Sequence, residues 1–377
     1  VVAAFGLDLM PDLDALIAPR LQALEAAGLR RRLSAHDAAL IDVASNDYLG
    51  LSRHPLLISR ACAWTQRFGS GSRASRLISG TSAALLALEE RLARFKGYEA
   101  ALIFATGYQL NSSALPALLE LGDAPLVFTD RLIHASLHAG LRGVRQIRFR
   151  HNDLAHLESL LQSHPGKTRW IVSESVFSMD GDVADVPALA ALAEKHGAFL
   201  YLDEAHATGV LGDHGAGLAQ GRATVAMGTL GKALGGAGAY VAGSRALIDW
   251  LINRCGGFIY STAPPPAALG ALEAALELVP TLDAERARLM QMADALRASL
   301  RARGFDTLAS ATQIVPAVLG EATRALAAAA KLRAAGILVG AIRPPTVPAG
   351  TARLRFSLSA ALSDVEFERV LDAVRKL

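Results

Sequence analysis

Cysteine is almost absent: 377 residues contain two, Cys62 and Cys255, neither in a CxxC or CxxH pattern. That excludes a disulfide framework and a structural zinc site, and it fits a reducing compartment. No apolar stretch reaches the roughly 18 uninterrupted residues of a membrane span. The segment Val1 to Met10 is apolar but carries Asp8, lacks a basic start, and runs at once into Pro11, Asp12 and Asp14, so it does not read as a signal peptide. A start at Val1 without an initiator Met suggests a trimmed or renumbered chain. The expected location is cytoplasmic. Charge of one sign is also scarce, with 38 Lys and Arg against 35 Asp and Glu. Arg30-Arg31-Arg32 and the scattered Arg142, Arg145, Arg148 and Arg150 fall short of a nucleic-acid stripe, and no nucleic-acid or membrane partner is expected. Repeats and low-complexity tracts are missing too.

What is present is apolar and alternating. With 52% hydrophobic residues, the chain can bury a large core. Ser82 to Lys96 reads as an amphipathic helix with Leu85, Leu88, Leu92 and Phe95 on one face, opened by Ser82 and closed by Gly97. Short apolar runs follow at 101–105, 126–128, 170–172, 199–202 and 224–227, with the texture of buried parallel strands. Asp185 and Gly197 bracket a helix between the third and fourth runs. This alternation predicts an α/β sheet with helices on both faces. An N-terminal arm is expected over 1–45, with a helix near 12–27 ended by Gly28, and a large α/β domain over 46–270. A smaller α+β domain is expected over 271–377, with strands near Ala317 and Leu354 and a last helix opened by the capping-box pair Ser363 and Glu366.

In an open parallel sheet, ligands sit at the carboxyl ends of the strands, so the polar residues after each run belong together. They are Thr106-Gly107-Tyr108, then Thr129-Asp130 with His134, then Glu174 with Ser178, then Asp203 with His206, then Thr229 with Lys232. Asp203 can be a helix N-cap or a carboxylate for a protonated pyridine nitrogen. Lys232 lies in a Gly-rich turn, and a buried lysine needs a partner or a lost charge. A Schiff base with pyridoxal 5'-phosphate (PLP) satisfies that requirement. Thr229 and the helix start at Gly107 and Tyr108 can take the cofactor phosphate, His134 can stack on the ring, and His206 can reach its phenolic oxygen.

Two rival motifs are present. Asp203-Glu204-Ala205-His206 spells a DEAH box and Gly231-Lys232 resembles the end of a Walker loop. The NTPase reading fails because Ala226 and Ala233 stand where that loop needs Gly and Ser or Thr, and because the loop should precede the acidic box. Gly69 to Ala74 fits GxGxxA, a nicotinamide-cofactor fingerprint, but follows a helical segment rather than a strand.

Over almost its whole length the chain resembles the α-oxoamine synthases, fold-type I PLP enzymes that condense an amino acid with an acyl thioester and lose CO2. The resemblance runs through Ser45 to Leu51, Ser79-Gly80-Thr81, His134-Ala135-Ser136, Val176 to Asp182, Asp203 to Gly209 and the Lys232 turn. Residues Ala341 to Arg355 are similar to the branch of the family that acts in biotin biosynthesis. That likeness implies L-alanine and a pimeloyl thioester as substrates, and a homodimer with active sites at its interface. The alternative within the family is the 2-amino-3-ketobutyrate ligase or 5-aminolevulinate synthase type. Carried onto matching positions, Lys232, His134, Asp203 and His206 are catalytic. Gly107, Tyr108, Ser178 and Thr229 hold PLP with them, and Thr262 does so from the neighbouring subunit. Arg30, Asn46, His134 and Thr346 contact substrate, with Arg343 as the carboxylate clamp.

Overall fold

The computed structural model describes residues 12–33, 35, 37–166 and 168–377; the segment Val1 to Met10 lies outside the described residues. In chain order the elements begin with α1 (Leu13–Ala26), β1 (Ile41–Asp42), α2 (Pro55–Phe68), α3 (Ala83–Lys96) and β2 (Ala100–Phe104). Then come α4 (Gly107–Leu119), β3 (Leu126–Asp130), α5 (Ala135–Gly140), β4 (Gln146–Phe149), α6 (Leu154–Ser163) and β5 (Arg169–Glu174). Next are α7 (Val186–Lys195), β6 (Phe199–Asp203), β7 (Val225–Thr229), β8 (Ala239–Gly243), α8 (Arg245–Arg254) and α9 (Gly256–Ile259). The chain closes with α10 (Pro266–Leu278), α11 (Asp283–Ala302), β9 (Ile314–Gly320), α12 (Ala322–Ala334), β10 (Ile337–Leu338), β11 (Gly340–Ile342), β12 (Ala352–Ser357) and α13 (Asp364–Arg375).

Local chemistry explains the ends of these helices. Ser82 accepts the N–H of Leu85 and Gly97 adopts the left-handed conformation that stops α3, whose stripe Leu85, Leu88 and Leu92 is buried. Each leucine so removed from water contributes about 2 kcal/mol. Asp185 caps α7 by accepting the N–H of Ala188. Ser363 and Glu366 complete the reciprocal cap of α13.

Among the described residues, the main sheet has seven strands in the order β2-β8-β7-β6-β5-β3-β4. Only β8 runs against its neighbours; the pairings from β7 through β4 are parallel. Side chains alternate between two apolar layers, as period-two strands require. Val127, Trp170, Val172, Tyr201 and Met227 pack with Leu110, Leu115, Ile248 and Leu251 of α4 and α8. Phe128, Ile171, Leu200, Leu202 and Ala226 pack with Leu157, Leu161 and Leu189 of α6 and α7. The five expected strands are all present, and β4 and β8 are additional. A separate antiparallel sheet, β11-β12-β9, forms near the C-terminus, and β1 pairs in parallel with β10, tying the N-terminal segment to it. Gly270 lies inside α10, and one apolar cluster runs from Ile41 to Val374.

The turn that follows β6 is fastened from beneath. Lys96, at the end of α3, is wholly buried against Glu204 with Nζ 2.7 Å from Oε2. The second carboxylate oxygen of Glu204 accepts the N–H groups of Leu218 and Ala219. A buried charge pair satisfied this fully specifies position more than it adds stability. It holds the turn that carries Asp203, just before Glu204, and His206, two residues after it.

Candidate active site

Strands β3, β5, β6 and β7 lie side by side and end at Asp130, Glu174, Asp203 and Thr229, so their carboxyl ends make the crevice expected of an open parallel sheet. A cavity of about 230 Å³ opens there, lined by Gly107, Tyr108, His134, Asp203, His206, Thr229 and Lys232. These seven residues were expected together, and the fold brings them together. Asn111, Ser136, Glu174, Ala205 and Met227 complete the wall.

Asp203 accepts two hydrogen bonds in the cavity wall. Its Oδ1 accepts the N–H of Ala205 at 2.9 Å, as a turn-capping residue does, while Oδ2 accepts Asn111 Nδ2 at 3.0 Å. Asn111 is locked in turn by the hydroxyl of Tyr201, which donates to its Oδ1, and by Ser136. Nothing in the sequence reading singled out Asn111; an asparagine one turn inside an apolar helix was the available signal. Lys232 Nζ lies 2.9 Å from His206 Nε2. His134 caps α5, its Nδ1 accepting the N–H of Ser136.

The electrostatics divide the ionisable groups. Burial pushes the Lys232 amine down to about 8 against the attraction of Asp203 and Glu174, so a free base is within reach near neutral pH. Burial, reinforced by Lys232 and Arg355, holds His206 well below its ordinary value and keeps it neutral. Burial also lowers His134, against the pull of Asp203. Burial and the Asp203 carboxylate hold Glu174 well above the carboxylate range, and its buried Oε1 has no hydrogen-bond partner among the described residues.

PLP fits this donor set. Thr106 caps α4, whose first residue is Gly107, and a helix N-terminus offers free N–H groups to a phosphate. A Cβ on Gly107 would stand 2.8 Å from Thr229 Cγ2, so only glycine leaves the space between α4 and Thr229 open. Asp203 supplies an anion for a ring nitrogen, and Lys232 supplies the amine.

The remaining expected residues lie elsewhere. Ser178 lines an adjoining cavity of about 770 Å³ together with His134, Arg131, Arg31 and Thr346. Arg31, not Arg30, donates to Thr346 Oγ1, at 3.0 Å; Arg30 pairs with Glu25 at 3.2 Å. Arg343 donates to the Gly28 carbonyl and lies outside both cavities. Arg355 on β12 is the arginine next to the site. It donates to the Ser178 carbonyl and to Asn46 Oδ1, and its Nη2 is buried with no partner among the described residues. Thr262 bridges to Ser75 and lines a small neighbouring pocket with Arg76 and Gln109 rather than the Lys232 cavity.

An ionic clamp holds the loop that carries Ser178. His151 lies between Asp130, at 3.0 Å, and Asp182, at 2.8 Å. Burial opposes its charge, but the hydrogen bonds to Asp130 and Asp182 outweigh burial and push its pKa up to about 10. Because this folded-state value lies above the ordinary value of about 6.5, the stabilisation is complete below about pH 6.5 and is lost as pH rises towards 10. His151→Asn is expected to cost on the order of 3 kcal/mol at pH 6 and far less at pH 10. Denaturant melts of both proteins at the two pH values check this.

The sequence matches the family described as aminotransferase class I and II over residues 38–374. It is 60% identical to the 8-amino-7-oxononanoate synthase of Gluconacetobacter diazotrophicus, across 89% of this chain and 87% of that protein. It is 49% identical to the enzyme of that name from Geobacter sulfurreducens, across 96% and 97%. Among solved structures it superposes on serine palmitoyltransferase from Sphingomonas wittichii with a TM-score of 0.87 at 29% identity, covering 98% of both chains. The 8-amino-7-oxononanoate synthase of Francisella tularensis matches with a TM-score of 0.77 at 29% identity, over 90% of this chain and 98% of that one. An SPT structure with PLP matches at 0.88 and 28%, over 98% of both. With matches of this extent to sequence and fold alike, the chain belongs to the class I and II aminotransferase family of fold-type I PLP enzymes and, within it, to the 8-amino-7-oxononanoate synthase family.

Proposed function

We propose that this chain is a PLP-dependent C-acyltransferase that condenses L-alanine with a pimeloyl thioester. The products are 8-amino-7-oxononanoate, CO2 and the free thiol, in a step of biotin biosynthesis. The observation that carries the reading is the meeting of Lys232, Asp203, His206 and His134 in one cavity that opens beside a second, larger one. Kinship with proteins named 8-amino-7-oxononanoate synthase supports the choice of substrates.

Lys232, Asp203, His134, His206, Thr229, Gly107 and Tyr108 would hold PLP, with Ser178 at the border of the neighbouring cavity. When bound, PLP supplies an electron sink for negative charge developing at the amino-acid Cα. The other steps belong to the chain. The unpartnered Nη2 of Arg355, beside Asn46, suits the alanine carboxylate, because a guanidinium fork binds both oxygens and fixes the Cα–H bond. With its pKa held near 8, the freed amine of Lys232 removes the Cα proton and later returns one. The larger cavity can take the acyl chain, where Arg31 and Thr346 provide a polar contact for a distal carboxylate.

Thiol release should be greatest with alanine and pimeloyl-CoA when alanine, glycine and serine are each tested against pimeloyl-, acetyl- and succinyl-CoA. Faster release with glycine and acetyl- or succinyl-CoA would transfer the assignment to a sister activity. We further propose a cytoplasmic homodimer in which Thr262 serves the partner's cavity. Two free cysteines support the compartment, and kinship with the α-oxoamine synthases supports the dimer. No helix among the described residues is long and apolar enough to cross a membrane.

A further inference from the structure

The charges around the larger cavity do not cancel. Arg30 and Arg32 share Glu25, whereas Arg31 meets the neutral hydroxyl of Thr346. Arg353, in an adjoining pocket of about 240 Å³, is neutralised by Asp180. Arg131 lines both spaces, and it makes no hydrogen bond or ion pair among the described residues. The acid next to it in the chain, Asp130, is buried and committed to His151. Arg131 therefore offers the cavity a permanent positive charge with its donors open.

The path to that charge starts at the reacting centre. His134 lines the Lys232 cavity and the larger cavity alike. Beyond it, the wall common to the larger cavity and the 240 Å³ pocket is mostly apolar, with Leu132, Met179, Val347 and Pro348. Methylene groups suit such a wall. Arg131 stands three residues before His134, so their Cα atoms are at most about 10 Å apart. An extended pimeloyl chain has six carbon–carbon bonds between its terminal carbonyl carbons and spans roughly 7–8 Å. With its thioester carbon beside His134, its distal carboxylate comes within reach of the Arg131 guanidinium. A succinyl chain has half as many bonds and falls short.

We infer that Arg131 is a specificity-determining residue for the acyl substrate, its guanidinium binding the carboxylate at the far end of the acyl chain. The inference rests on the proposed reaction and names the group that selects its acyl partner. The distal carboxylate is the one charge that separates a pimeloyl thioester from a fatty acyl thioester of the same carbon number. Arg31, which also lacks an acidic partner among the described residues, adds a second cation to the same cavity. A guanidinium can engage both carboxylate oxygens, so the chain end is fixed in direction as well as in distance.

The test measures thiol release by the holoenzyme with alanine and either pimeloyl-CoA or heptanoyl-CoA, which has seven acyl carbons and no distal carboxylate. The wild type should favour pimeloyl-CoA in kcat/KM by at least about tenfold, the lower end of what a hydrogen bond to a charged group gives. Arg131→Met keeps a long side chain and removes the charge, and it should lower that ratio about tenfold, chiefly through the KM for pimeloyl-CoA. Arg131→Lys should keep most of the preference, and Arg131→Glu should turn it towards heptanoyl-CoA. Each ratio is taken on one preparation, so a partly folded variant does not distort it. An unchanged ratio in Arg131→Met overturns the inference. A variant that loses both thioesters in equal proportion overturns it too, because that is the mark of a lost contact to the CoA phosphates they share. A wild type that uses both thioesters equally well overturns it without any variant and leaves the proposed reaction standing. Release from neither thioester in the wild type overturns the reaction, and the inference with it.

Discussion

Lys232→Ala is expected to remove the absorbance band of the Schiff base between PLP and the chain and to lower condensation at least about 1000-fold. Two functions are lost at once. The amine that joins the cofactor to the chain disappears, and so does the base whose pKa is held near 8. A positioned general base alone contributes about 100- to 10,000-fold. The fold should survive, because Lys232 lies in the turn after β7 and its side chain borders a cavity rather than the apolar layers. PLP should still associate through the helix start at Gly107 and through Asp203. An ultraviolet-visible spectrum and a thiol-release assay on the same sample measure both parts. Retained condensation would falsify the assignment of Lys232 as the amine at the centre of the site.

Asp203→Asn should spare PLP binding and slow exchange of the alanine Cα proton by about 100- to 1000-fold. The local geometry sharpens the reason. Asp203 now accepts from two donors, Ala205 N–H and Asn111 Nδ2, and Asn111 cannot turn round because Tyr201 and Ser136 hold it. An asparagine at 203 has a single acceptor oxygen, so one of those donors would face an amide N–H₂ group. The charge that supports a protonated ring nitrogen would also be gone. Asp203 raises the pKa of Lys232, so the substitution should lower that value further and weaken the base. Proton exchange followed by NMR, alongside the cofactor content of the purified variant, separates failed chemistry from failed binding. Exchange at the wild-type rate would leave Asp203 with only its turn-capping role.

The order of elements was legible because its determinants are local. Asp185 before α7, Ser363 with Glu366 before α13 and Gly97 after α3 each act within a few residues. Two strands were less visible. β4 is an edge strand whose residues, Gln146 to Phe149, mix polar and apolar types with partial exposure, so it has no buried run to announce it. β8 reads as the tail of the glycine-rich Lys232 turn until its pairing with β2 and β7 is known. The sequence of β12, with Arg353 and Arg355 alternating with Leu354 and Phe356, has the pattern of a half-exposed strand. All six of its residues are nevertheless buried, because the loop from Ser178 to Asp180 covers the arginine face.

The sequence by itself determined the α/β class and the polar residues that follow each strand, and with them the group Lys232, Asp203, His206 and His134. Strand ends in a parallel sheet converge wherever the helices connecting them lie, so that group needed no knowledge of distant contacts. Only the tertiary structure decided which partner each arginine takes. Arg30, Arg31, Arg343 and Arg355 carry the same chemistry, and their partners lie as far away as the opposite end of the chain. Packing of the N-terminal segment on the C-terminal sheet sets Arg31 on Thr346, uses Arg343 to hold Gly28, and leaves Arg355 beside Asn46 with a free nitrogen. The same packing buries Tyr48 against His206, which connects the loop after β1 to Lys232.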